Sequence, residues 1–217
     1  MKIDHITFVA KTLDQAQRYA EERFGVALPV GGRHPMMGTH NLLTKIAPDV
    51  FLEFIAIDPE AIPPNGKRWF ALDRLEAEGK LNAEPRLYSW VASLNDLEAK
   101  VSSLTEMEKM SITRGEVRWS FCLRKDREAE AGGVFPALIE WGDISPASRM
   151  LEVGITLRKL SLSHPEMSGI HSRMQFLGWK TEAPPNQMVQ FETGSIPSMH
   201  LELQTPKGLI VIEGGNL

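Results

Sequence analysis

The sequence predicts an α+β chain built from a strand–helix–strands unit that occurs three times, and three features point to it. Alternating apolar and polar runs, suited to half-buried strands, recur along the 217 residues. Three of these runs are each followed by apolar residues at helical spacing. Connections are short and marked by Gly, Pro or Asp. Such links favour antiparallel or mixed pairing with helices on one side over a doubly wound parallel sheet.

The first unit covers residues 1–58. A strand is predicted over 3–10. Thr12 then offers an N-cap oxygen, with Gln15 three residues later as in a capping box. Leu13, Ala16, Ala20 and Phe24 form a helical stripe that Gly25 ends. Gly31-Gly32 reads as a turn, 41–46 as a strand, Pro48-Asp49 as a turn and 50–57 as a strand. Residues 59–85 form a linker. Its start is turn-rich, and Trp69, Leu72 and Leu75 predict a helix packed on the outside, with Trp69 in the core.

The second unit, 86–142, opens with a strand over 86–92. Asn95 is the expected N-cap, Glu98 stands at the third helical position, and Leu97, Val101 and Leu104 make the stripe. Strands over 117–123 and 134–141 close it. After a connection that contains Pro146, the third unit spans 155–217. It has a strand at 157–162 and a helix entered at 163–165, where Pro165 suits the first turn. Met167, Ile170, Met174 and Leu177 face inward and Gly178 ends the helix. Strands follow near 188–192, 199–204 and 209–213.

The net charge of −4, with Lys and Arg scattered, argues against a nucleic-acid binder. The run from Arg124 to Glu128 is mixed in sign and reads as a solvated loop. Cys122, the single cysteine, excludes an intrachain disulfide and reads as a small buried side chain. No apolar stretch approaches the ~20 residues of a membrane span, and Met1 to His5 carry no secretory signal. A cytoplasmic protein without membrane or nucleotide cofactor is expected.

Asp4-His5-Ile6 at the start of a strand, Gly31-Gly32-Arg33-His34-Pro35, Gly38-Thr39-His40-Asn41 and Leu52-Glu53-Phe54 resemble the glyoxalase-like branch of the vicinal-oxygen-chelate superfamily. Ile139-Glu140-Trp141-Gly142 fits the same branch. The resemblance implies βαβββ modules paired into a cup-shaped sheet, the third, C-terminal one degenerate. It also implies metal ligands on first and last strands: His5, Glu53 and Glu140. The first strand of unit two offers no ligand at the fourth position, which argues against glyoxalase I activity itself. In unit three Lys159 and Val211 stand at the ligand positions, so no metal is expected there.

Glu53 and Glu140 lie in apolar strands, where a lone carboxylate costs several kcal/mol unless protonated or partnered. With His5 they would suit zinc, iron, nickel or manganese, which could polarise a carbonyl or stabilise an enediolate. Each Glu could instead pair with an internal Arg or Lys. In the Gly-rich loop Arg33 could hold an anion bidentately and His34 could donate to it. His40, a third metal ligand or a substrate contact, completes the expected site with Asn41 and Trp141, and the alternative is that Arg33 and His34 knit the loop through backbone carbonyls. His164 and His171 suit cap and surface roles, and His200 and Glu202 a wet sheet face. Two functions stay open. One is a metalloenzyme (isomerase, lyase or dioxygenase) for a small substrate with vicinal oxygens, with a homodimer possible. The other is a metal-free binding or resistance-type protein whose cup Trp90, Trp119 and Trp141 would line, although core packing explains these three equally well.

Overall fold

The computed structural model describes residues 1–102, 104–115, 117–142 and 146–215. Part of the expected connection and the last two residues thus lie outside the described residues. Unit one comprises β1 (Lys2–Val9), α1 (Leu13–Arg23), β2 (Val30–His34), β3 (Thr39–Ala47) and β4 (Val50–Ile57). The linker contains α2 (Leu72–Ala77). Unit two runs through β5 (Arg86–Ser93), α3 (Leu97–Val101), β6 (Met107–Arg114), β7 (Val117–Arg124) and β8 (Ala137–Trp141). Unit three holds β9 (Thr156–Ser163), α4 (Met167–Phe176), β10 (Val189–Glu192), β11 (Ser198–Thr205) and β12 (Gly208–Gly214).

The predicted caps are partly met. Gln15 N–H donates to Thr12 Oγ1 at 3.1 Å and starts α1 where expected. At α3 the first residue is preceded by Asp96 in a left-handed conformation, and the carboxylate of Glu140 accepts the Asp96 N–H at 2.7 Å. A side chain from β8, rather than Asn95, therefore serves this helix start. Helix α4 begins two residues later than Pro165, because His164 Nδ1 accepts the Glu166 N–H at 2.9 Å and holds a turn there.

Strands β1 and β4 pair in parallel, β1 and β5 antiparallel, and β5 and β8 in parallel. The two units thus share a run of strands in the order β6-β7-β8-β5-β1-β4-β3-β2. Although β2 and β7 lie at opposite sides of this run, the His34 and Trp119 rings are 6.2 Å apart. The sheet is curled into a cup, as the mixed pairing expected from the short connections allows.

Unit three keeps the element order but not the pairing. β9 takes β10 as its parallel neighbour and β11 on its other side, whereas β1 takes its parallel partner from the last strand of its unit. It joins the cup's convex side. Ile6, Phe8 and Trp90 share one core with Leu160, Met174, Trp179 and Leu201. The concave side has a separate core, and the linker sits in it. Trp69, Phe70, Leu72 and Leu75 pack with Val9, Ile55, Val91 and Phe121. Those faces belong to the inside of the cup, so the helix expected on the outside instead fills part of the interior. No described helix is long and apolar enough to cross a membrane.

Candidate functional site

What the linker leaves of the cup is a narrow cavity that opens to solvent. Strand alternation selects its walls. His5 pairs with Phe51 and Thr7 with Glu53 across β1 and β4, and all four side chains face inward, while Ile6, Phe8, Leu52 and Phe54 face the convex core. Leu43 and Asn41 come from β3, Ile139 and Trp141 from β8, and Trp119 and Phe121 from β7.

His5 is buried and stacked on Phe51, ring centroids 4.4 Å apart. Its Nδ1 lies 2.7 Å from Asp4 Oδ1. A carboxylate only accepts, so Nδ1 carries the hydrogen and Nε2 is left facing Glu53 Oε2 at 3.6 Å. Adjacent strand residues ordinarily point to opposite faces. The pairing of β1 with β5 skips a residue between Ile3 and His5, and this bulge turns Asp4 to the cavity side. Trp141 Nε1 donates to Asp4 Oδ2 at 2.9 Å and completes a Trp141–Asp4–His5 chain.

Glu53 is buried, and it is held from two sides. Asn41 Nδ2 donates to Oε1 at 2.7 Å and Thr7 Oγ1 to Oε2 at 3.4 Å. The Asn41 amide is oriented by the Gly32 N–H, which donates to Asn41 Oδ1 at 2.8 Å. Gly31 makes this approach possible, since a Cβ there would stand 2.3 Å from the same oxygen. Among the described residues, neither Arg nor Lys is a polar partner of Glu53. The pairing of this carboxylate with an internal Arg or Lys, left open by the sequence, is not what the fold builds.

His34 lines the cavity as well, between Trp69 and Trp119. Burial, and next the nearby Arg114, push its imidazole down to about 3. It is therefore neutral, with Nδ1 3.1 Å from Thr39 Oγ1 and Nε2 accepting from Arg114 Nη1 at 3.4 Å. The expected donation from His34 to an anion is replaced by acceptance from a cation. A histidine held below its unfolded value binds fewer protons folded than unfolded, so stability falls as pH drops from about 6.5 to about 3. Replacing His34 by Gln is expected to flatten the urea-unfolding free energy across that window. An unchanged slope would contradict the buried neutral state.

Three expected site residues lie elsewhere. Glu140 sits between two inward residues, Ile139 and Trp141, so alternation turns it to the helix side, where it serves α3. His40 lies between inward-facing Asn41 and its neighbour Thr39, whose hydroxyl meets cavity-lining His34 and Trp69, and is turned away from the cavity. Its ring is held below its usual range chiefly by burial. Arg33 is directly opposite His40 in the β2–β3 ladder and shares its face; it is exposed and paired with Asp58 and Glu60. Trp90 belongs to the convex core, whereas Trp119 and Trp141 line the cavity. Cys122 is fully buried, and burial raises its thiol to about 12, as suits an inert core residue.

Catalytic zinc and similar centres commonly take three protein ligands. Among the described residues no three His, Cys, Asp or Glu side chains converge in that way. His5 and Glu53 offer two donors, and the third expected donor, Glu140, is on the far face. Among the described residues, these two donors do not make up the three-ligand zinc, iron, nickel or manganese centre that the resemblance implied. Asp4 and Arg114 were absent from the expected site. The bulge concealed the first, and the second ends a strand whose sequence, MEKMSITR, shows no clean alternation.

Among solved structures, a hypothetical protein from Staphylococcus aureus is similar with a TM-score of 0.57 at 14% identity, covering 90% of this chain and 87% of that one. Methylmalonyl-CoA epimerase from Mycobacterium tuberculosis gives a TM-score of 0.44 at 17% identity, over 68% of this chain and 91% of that one. A variant of methylmalonyl-CoA epimerase from Streptomyces coelicolor, in complex with 2-nitronate-propionyl-CoA, gives 0.43 at 16%, over 67% and 97%. The search of curated proteins returned no match. The family model described as glyoxalase-like domain matches residues 3–178, most of the chain and all of the cavity wall described above, and the chain belongs to that family.

Proposed function

We propose that this protein is a small-molecule enzyme that moves a proton on a substrate with neighbouring oxygens, with His5 and Glu53 as the acid–base pair. The observation that carries this reading is the facing of His5 Nε2 and Glu53 Oε2 at 3.6 Å inside a largely apolar cavity. With Nδ1–H committed to Asp4, both facing atoms are acceptors, and one proton between them relieves the repulsion. Whichever group holds that proton is the acid and the other is the base. A C–H made acidic by an adjacent carbonyl would lose its proton to the base, and the acid would give one to the carbonyl oxygen. That is the shared first step of isomerase and lyase chemistry.

The aromatic walls, with no three ligands converging among the described residues, also favour a second reading, a metal-free binding protein that holds a ligand without turnover. Deuterium uptake separates the two. The protein would be incubated in D₂O with 2-hydroxy acids, 2-oxo acids and α-hydroxyketones, and loss of the C–H signal followed by NMR. Exchange is expected with at least one compound, and Glu53→Gln is expected to slow it by about 10²–10⁴-fold with the fold unchanged. Compounds that bind without exchanging would leave the binding-protein reading in its place.

A further inference from the structure

We propose that Arg114 anchors a carboxylate, and that the substrate is a flat carboxylic acid with an apolar body. This rests on the cavity being the reaction site and names what would enter it.

Arg114, at the end of β6, reaches the cavity from unit two, while His5 and Glu53 come from unit one. Its guanidinium lies over the Trp119 ring at 5.7 Å and spends one donor on neutral His34. Gly32 leaves it room, because a Cβ there would stand 2.7 Å from Arg114 Nη1. Arg33, Arg68, Arg124 and Arg173 each have a carboxylate within ion-pair distance. For Arg114 no such pair exists among the described residues. A half-buried cation beside aromatic walls is poorly solvated and gains from an anion. The guanidinium fork matches a carboxylate through two parallel hydrogen bonds.

Charge and shape narrow the class. Arg114 is the one Arg or Lys among the described residues lining the cavity, which suits a single negative charge over a phosphate dianion. Trp119, Trp141, Phe51 and Phe121 offer flat apolar surfaces to the remainder of the molecule, and Ile139 adds apolar area. Glu53 repels a second carboxylate. The acid group therefore turns toward Arg114 and presents the rest of the substrate to His5 and Glu53.

Phenylacetate and its neutral isostere phenylacetamide test the anchor, with binding followed by tryptophan fluorescence and calorimetry. The wild-type protein is expected to prefer the acid by about tenfold or more. Arg114→Gln should erase that preference, Arg114→Lys should keep part of it, and Arg118→Gln, an exposed change on the same hairpin, should keep all of it. Equal binding of acid and amide, no binding of either, or a preference that survives Arg114→Gln would overturn the proposal. Circular dichroism of each variant guards against loss of fold. A preference that depends on Arg114, with no Glu53-dependent exchange, would uphold the anchor and sink the proton-transfer reading. Glu53-dependent exchange without the preference would do the reverse.

Discussion

Asp4→Asn is expected to slow deuterium exchange by about 10³–10⁴-fold while the protein stays folded, as the corresponding change does in a Ser-His-Asp triad. The reason lies in what Trp141 can do. Its Nε1 only donates, and it donates to Asp4 Oδ2 at 2.9 Å. An asparagine here must turn its oxygen to Trp141 and its NH₂ group to His5. His5 Nδ1 then has to accept, the ring hydrogen moves to Nε2, and Nε2 becomes a fixed donor toward Glu53. Nε2 can then no longer take up the proton that the pair must exchange, although every heavy atom keeps its place. Exchange rates measured alongside thermal unfolding check this, and a rate within about threefold of wild type would show that Asp4 does not set the tautomer.

The largest stability effect is expected at Trp90→Ala, about 3–5 kcal/mol. Trp90 is fully buried on β5 and stands edge-on to Trp179 of unit three, ring centroids 5.5 Å apart. Its Nε1 donates to the Val134 carbonyl at 3.0 Å. Alanine would leave a cavity between units two and three and would strip that carbonyl of its side-chain donor. Phenylalanine keeps most of the volume and should recover more than half of the loss. Urea midpoints for both variants measure this. A cost below about 1 kcal/mol for alanine would mean that unit three does not share the core of the cup.

Local chemistry made much of this fold legible in the sequence. Thr12 with Gln15 marked the start of α1, and the strand over 3–10 carries His5 and Thr7 on one face, as alternation requires. The same rule failed wherever the chain broke its period. Asp4 joins His5 only through the bulge, which no residue pattern announces. Glu140 occupies the last strand of unit two, as Glu53 does in unit one, but one step of register puts it on the helix side. Arg114 belongs to β6, where exposed and half-buried positions follow no simple alternation. The place of α2 depends on contacts with strands from both units, which its own apolar stripe does not encode. In unit three the order of elements was readable, whereas the choice of β10 as the parallel neighbour of β9 is decided by tertiary pairing.

The central claim is that Asp4 fixes the hydrogen of His5 on Nδ1 and leaves Nε2 free to share a proton with Glu53. Nitrogen-15 NMR of the His5 ring, in the wild-type protein and in Asp4→Asn, tests it most directly. The wild-type ring should show a protonated, hydrogen-bonded Nδ1, and the variant should show the hydrogen transferred to Nε2. A wild-type ring with its hydrogen on Nε2 and a bare Nδ1, or a tautomer that Asp4→Asn leaves unchanged, would contradict the account.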